Sequence, residues 1–117
     1  MAYTVKEEKT YAHGKETIIT AISGAIDGLE GNMSKIDPES GLITAKFNKT
    51  IRGNVLGDRT QIEIELFSLS PDETKLSLTV YPINPIGQKL EFGARKGISR
   101  KIMTWFLAHM DHQLKTL

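Results

Sequence analysis

The stretch "TQIEIELFSLSPDETKLSLTVYP", residues 60–82, decides the fold of this chain. Apolar and polar side chains alternate on both sides of its central "SPDE". The apolar positions are Ile62, Ile64 and Leu66 before the turn and Leu76, Leu78 and Val80 after it. Because successive side chains of a strand point to opposite faces, this alternation predicts an antiparallel sheet with one buried face and one face in water.

Further strand candidates precede this hairpin. Segment 32–37, "NMSKID", runs through the turn "PESG" into segment 42–50, "LITAKFNKT". One face of the second segment carries Ile43, Ala45 and Phe47. Residues 51–59, "IRGNVLGDR", contain two glycine–polar pairs and indicate a long hairpin loop. Residues 3–9, "YTVKEEK", form a weaker strand candidate.

Two segments have apolar residues at helical spacing. The stripe of the first, within 14–31, consists of Ile18, Ile22, Ala25, Ile26 and Leu29. The stripe of the second consists of Ile98, Ile102, Trp105, Phe106, Met110, Leu114 and Leu117. Since only these stripes can cover the dry face, the sequence predicts an α+β fold, a single antiparallel sheet with two helices packed on one face, in the order β-α-β-β-β-β-α. The expected core positions are Ile22, Ile26, Phe47, Ile64, Leu78, Ile102 and Phe106.

This element order resembles a known architecture. Together with "IDPESGLITAKF" (36–47) and a final helix after a glycine-rich bend, it resembles the helix-grip or TATA-binding-protein-like fold. It is also similar to small bacterial domains of unknown function and to modules of outer-membrane-assembly lipoproteins. The resemblance extends over nearly the whole chain as topology, and it brings no catalytic or binding motif. The lipoproteins begin with a lipidated cysteine, which this sequence lacks.

Composition narrows the class of protein. The 117 residues are 39% hydrophobic and 25% charged, which predicts one globular domain over 1–117. A net charge of +1 argues against a polycation that coats nucleic acid. The absence of cysteine excludes disulfides, thiolate nucleophiles and Cys-ligated zinc. No apolar run approaches the roughly 18 residues of a membrane span, so we expect a cytoplasmic protein, and no motif calls for a cofactor.

Positive charge is concentrated before the last helix. Between positions 89 and 101, five cations accompany one anion, Glu91. The cations are Lys89, Arg95, Lys96, Arg100 and Lys101. A first helical turn carries partial positive charge and favours Asp or Glu, so these cations are unexpected there. Two interpretations stay open: a solvated surface, or an anion site for phosphate, a nucleic-acid backbone or a phospholipid headgroup.

The apolar stripe of the last helix also has two interpretations. Its larger members, with one strand residue, can fill the core or line an apolar groove between helix and sheet. These residues are Phe47, Met103, Trp105, Phe106 and Met110. A groove would accept a small apolar ligand or a segment of a partner protein.

Catalytic and metal sites receive little support. Glu63 and Glu65 project from the same strand face, but that face is in water, where cross-strand pairing with Lys46 and Lys75 accounts for them better than acid–base catalysis. His109 and His112 supply two metal ligands without a convincing third. The sequence therefore predicts a non-catalytic binding or interaction module with no metal. The alternative function is an anion binder that uses the cluster at 89–101.

Overall fold

The computed structural model describes residues 3–91, 93–95 and 97–116. Five strands form one antiparallel sheet in the order β1-β7-β6-β3-β2, and two short strands form a separate hairpin, β4-β5. The strands are β1 (Val5–Tyr11), β2 (Asn32–Asp37), β3 (Leu42–Phe47), β4 (Thr50–Ile51), β5 (Asn54–Val55), β6 (Arg59–Ser70) and β7 (Glu73–Ile83). The helices are α1 (Lys15–Gly28) and α2 (Ile98–Thr116). The predicted α+β class is confirmed.

The register of the central hairpin follows the alternation in the sequence. Ile62 lies opposite Val80, Ile64 opposite Leu78 and Leu66 opposite Leu76. Strand β3 adds Ile43 opposite Ile64 on the same face. All of these side chains are buried, because this is the face that the helices cover. Burial of their apolar surface contributes a stabilising free energy of roughly 25 cal/mol per Å², which makes this layer the main stabilising contact of the fold.

Both helices pack on the dry face of the sheet. Their buried residues join those of β3, β6 and β7 in one apolar cluster. The seven predicted core positions are confirmed, since each is at most 1% exposed: Ile22, Ile26, Phe47, Ile64, Leu78, Ile102 and Phe106.

Glycines on α1 allow the two helices to approach closely. A Cβ on Gly24 would overlap the Gln113 side chain, and a Cβ on Gly28 would lie 2.6 Å from Nδ1 of His109. Gly24 and Gly28 are one turn apart on α1, and their neighbours Gln113 and His109 are one turn apart on α2 in the reverse order. The two helices therefore run antiparallel. The small face of α1 is where α2 packs.

The segment predicted as a loop, 51–59, contains an additional hairpin. Strands β4 and β5 are joined by Arg52 and Gly53, with φ of 49° and 83°. Two consecutive residues with positive φ are typical of a type I′ turn, which usually carries Asn-Gly. The segment does form the long connection between the antiparallel strands β3 and β6, as predicted. The short ladder within it was not predicted, because two-residue strands are too short to show alternation.

The outer face of the sheet pairs its charges differently from the prediction. Lys75 forms an ion pair with Glu8 on β1, with 3.5 Å between Nζ and Oε2. Glu63 instead accepts a hydrogen bond of 2.8 Å from the hydroxyl of Tyr81. The prediction that Lys46 and Lys75 pair with Glu63 and Glu65 was wrong for Lys75 and for Glu63. The register explains this result, since it sets Lys75 opposite Phe67 and Glu63 opposite Thr79.

Candidate functional site

Most of the aromatic and methionine residues considered as groove lining lie inside the core. Phe47, Met103, Phe106 and Met110 are at most 1% exposed. Trp105 differs from them, because it is half-buried and packs against the edge of the core. A ligand could therefore contact Trp105 without displacing the packed interior.

A cleft of about 360 Å³ opens beside Trp105. It lies where the C-terminal end of α1, the β4–β5 hairpin and the middle of α2 meet. Four apolar residues and three polar residues line it: Leu29, Ile51, Trp105 and Ala108, with Arg52, Asn54 and His109. Leu29 and Ile51 form its buried floor, whereas Ala108, Arg52 and Asn54 are exposed at its rim. Apolar walls with a few polar groups are typical of small-molecule sites, which begin at roughly 300 Å³.

Two hydrogen bonds fix Arg52 at the rim of this cleft. Its guanidinium Nη1 donates to the Gly28 carbonyl at 2.8 Å, at the C-terminal end of α1. Its backbone N–H donates to Oε1 of Glu30 at 2.8 Å. A helix C-terminus carries partial negative charge, so a cation there is stabilising. The bonds hold a positive group over an apolar hollow, in a backbone conformation that arginine rarely adopts.

His109 forms the opposite polar wall of the cleft. Its ring is half-buried against Gly28, where no side chain larger than hydrogen fits. Burial lowers the pKa of His109 below its ordinary value, and the nearby charges of Arg52 and His112 lower it further. The imidazole is therefore kept neutral near pH 7, as a hydrogen-bonding group rather than a cation.

Of the cations predicted as one cluster, Arg95, Arg100 and Lys101 line two adjoining cavities at the start of α2, whereas Lys89 makes a separate contact. Lys89 lies over the Tyr81 ring, with 5.1 Å from Nζ to the ring centroid. Arg100 forms an ion pair of 2.8 Å with Glu7. Lys101 lies 6.0 Å over the Trp105 ring, and the Arg95 side chain lies against Gly57. Lys96 lies outside the described residues.

The outer face of the sheet has a second, polar hollow of about 290 Å³, which includes Glu63 and Glu65. Both glutamates are exposed. The hydroxyl of Tyr81 donates to Glu63 and accepts from Gln61 at 2.7 Å. Burial, followed by the bond to Glu63, raises the pKa of Tyr81 to about 12. Tyr81 therefore stays protonated at neutral pH, and this network holds no buried acid or base of the kind that general acid–base catalysis uses.

The described part of the chain has neither a cluster of metal-ligating side chains nor a membrane-spanning helix. No group of three or more His, Asp or Glu side chains there could hold a metal ion. Neither helix is long and apolar enough to cross a membrane.

The fold is shared with solved protein structures. No family model and no curated protein matches the sequence. Ara h 8.0201 has a TM-score of 0.63 and 12% identity, over 97% of this chain and 98% of that one. An HSP90 activator from Plasmodium falciparum has a TM-score of 0.58 and 16% identity, over 97% and 94%. The di-domain ARO/CYC protein BexL of the BE-7585A biosynthetic pathway has a TM-score of 0.59 and 9% identity, over 96% of this chain and 46% of that one.

These similarities establish the helix-grip fold. At such low identity they show the fold alone, since one fold carries many functions. They support the helix-grip part of the resemblance seen in the sequence. They do not support the part that concerned TATA-binding-protein-like domains and outer-membrane-assembly lipoproteins.

Most of the lining of the Trp105 cleft is not evident from the sequence. Trp105 belongs to the apolar stripe of the last helix, but Arg52 lies in the segment predicted as a hairpin loop, and His109 stands beside that stripe as one of two candidate metal ligands. One feature of the sequence points to Arg52. It stands before Gly53 in a turn where Asn-Gly would be the usual type I′ pair. An arginine in that position indicates that its side chain has a role that offsets the backbone strain.

Proposed function

We propose that this chain is a non-catalytic binding module that takes a small amphipathic ligand in the Trp105 cleft. The observation that carries the proposal is the pairing of an apolar hollow with a fixed cation at its rim. Trp105, Leu29 and Ile51 offer an apolar surface, and Arg52 lies above them. A ligand with a short apolar chain and a carboxylate end matches both parts.

The chemistry of the rim favours a carboxylate over a neutral polar group. A guanidinium presents five N–H donors, and only the Nη1 bond to Gly28 is seen among the described residues. The neutral ring of His109 adds a hydrogen-bonding group on the other side of the cleft. Because the rim is open to water, we expect modest affinity, with the apolar contact supplying most of the binding free energy.

A binding role is preferred to catalysis because of the groups present. The polar atoms of the cleft belong to Arg52, Asn54 and His109, and no nucleophile stands beside the histidine in the lining. The fold by itself does not decide the question, since one protein with this fold carries the name ARO/CYC.

The test uses Trp105 fluorescence, because Trp105 is the single tryptophan of the chain. Decanoate, kept below its micelle concentration, should give a saturable change in the emission of Trp105. Ala108→Phe should abolish this change, since Ala108 is exposed and its enlarged side chain would fill the cleft. The matched control is Thr104→Phe, an exposed position on the same helix outside the cleft lining.

Equal responses from the wild type and Ala108→Phe would contradict the proposal. If decanol gave the same response as decanoate, the apolar site would stand, but the proposed binding of a carboxylate by Arg52 would be refuted.

A further inference from the structure

The first turn of α2 surrounds a second site, separate from the Trp105 cleft. The first intrahelical bond runs from the Lys101 N–H to the Gly97 carbonyl, at 3.0 Å. The N–H groups at the start of a helix have no acceptor within it, and the helix dipole makes them a favourable place for an anion. No acidic residue lies in this turn. By itself, a helix start of this kind is common and proves no site.

Ser99 supplies an independent observation at the same place. It is 2% exposed, and its Oγ makes no hydrogen bond within the described part of the chain. A buried hydroxyl without a partner costs roughly 1–3 kcal/mol, and such groups are few in native proteins. Ser99 lines a cavity of about 40 Å³ at the helix start. Ser99 therefore belongs to the wall of a small cavity, whose lining also includes Tyr3, Val5 and Ile98.

Two arginines line this cavity, and two carboxylates lie near them. Arg95 and Arg100 line it, together with Gly97, where a φ of +77° turns the backbone into the helix. Glu7 neutralises part of this charge through its ion pair with Arg100. Asp58 lies near as well, since its Oδ2 accepts the backbone N–H of Arg95 at 2.8 Å. The loop before α2 thus already binds one carboxylate through its backbone.

A larger cavity adjoins the small one. It measures about 200 Å³ and shares Arg95, Gly97 and Ile98 with the small cavity. Lys101 forms a further part of its lining. A phosphate group bound at the helix start could therefore continue into this space as an ester, with Lys101 beside it.

We propose that the start of α2 binds a single phosphate group, either as free phosphate or as the end of a phosphomonoester. Ser99 Oγ and the first-turn N–H groups donate to its oxygens, and Arg95 balances its charge. This site has one-phosphate dimensions, unlike the extended basic surface that a nucleic-acid backbone requires. The proposal is independent of the Trp105 cleft, whose lining shares no residue with the small cavity.

Thermal unfolding of the full chain tests the proposal with inorganic phosphate as the probe. At ten times its dissociation constant, phosphate should raise the melting temperature of the wild type by about 5 °C, relative to sodium chloride at equal ionic strength. Ser99→Ala should melt at the same or a higher temperature without phosphate, because it removes an unpaired hydroxyl, and should lose most of the phosphate response. Arg95→Gln should weaken the response as well, so the test does not depend on one variant.

Lys89→Gln is the matched control, because Lys89 belongs to the same sequence cluster but lies over Tyr81. It should keep the full phosphate response. Glycerol 3-phosphate and vesicles of phosphatidylcholine with or without phosphatidic acid then distinguish a soluble phosphomonoester from a lipid headgroup. The proposal is overturned if phosphate stabilises Ser99→Ala as much as the wild type, or if sodium chloride reproduces the whole shift.

Discussion

Replacement of Arg52 by asparagine separates the stability of the hairpin from the function of the cleft. Arg52 has φ of 49°, and a non-glycine residue in this region costs of order 1 kcal/mol. Asparagine tolerates this conformation and forms the preferred Asn-Gly pair with Gly53, so the substitution recovers a part of that cost. The variant loses the exposed hydrogen bond from the guanidinium to Gly28, which contributes about 1 kcal/mol. The two effects nearly cancel, so the free energy of unfolding should change by less than about 1 kcal/mol.

Ligand binding should respond differently to the same change. Loss of a charge-assisted bond from Arg52 to a carboxylate should weaken decanoate binding by about tenfold, which corresponds to about 1.4 kcal/mol. Decanol binding should stay unchanged. The pKa of His109 should rise toward its ordinary value, because the charge of Arg52 is one cause of its lowering.

Urea denaturation and Trp105 fluorescence titration measure the two quantities on the same samples. Lys49→Gln is a suitable control, since Lys49 is exposed near the same hairpin and outside the cleft lining. A loss of stability above about 2 kcal/mol in Arg52→Asn would show that Arg52 is mainly structural. Unchanged decanoate affinity would refute the reasoning that places a carboxylate at Arg52.

Other substitutions test the packing and the electrostatics. Phe106→Ala should lower the free energy of unfolding by about 3–5 kcal/mol, because it empties a fully buried position; a loss below about 1 kcal/mol would contradict the assigned core. Gly28→Ala should cost about 1–3 kcal/mol and move the His109 ring, which NMR would detect as a changed ring environment, since the new Cβ would lie 2.6 Å from Nδ1. The pKa of His109 is lowered in the folded chain, so its contribution to stability is present above the unfolded pKa and is lost as the pH falls through the lowered pKa of the folded chain; His109→Gln should remove this part of the pH dependence of urea unfolding. Glu63→Gln combined with Glu65→Gln should leave the fold and decanoate binding unchanged, and a loss of either would assign the outer face a function.

The sequence predicted the fold well because alternation and helical spacing act along the whole chain. Ile64 and Leu78 show how this works: each has polar neighbours on both sides, and each lies in the buried layer. The Trp105 cleft was harder to predict from the sequence, because it depends on residues that are distant in sequence. Arg52 meets Gly28 only after the hairpin folds against α1, and His109 reaches the same place from α2. No periodic pattern in the sequence predicts that these residues come together.

The basic cluster shows that neighbours in sequence can make contacts in different places. Proximity in sequence suggested that Lys89 and Arg100 act together, but the strand and helix around them direct these side chains to Tyr81 and Glu7. The Glu7 partner lies on β1, at the other end of the sequence. A count of charges along the sequence therefore does not say which of the cations lie on one surface.

The most direct test of the central claim is an NMR titration of the wild type with decanoate, followed at the backbone amides and the Trp105 indole. We expect saturable shifts centred on Trp105, Ala108 and Ile51, with smaller changes in the buried core. The indole N–H of Trp105 should shift with the same dissociation constant as its fluorescence change. Shifts that never saturate, or that centre on the outer strands around Glu63 and Ser77, would contradict a ligand site at the Trp105 cleft.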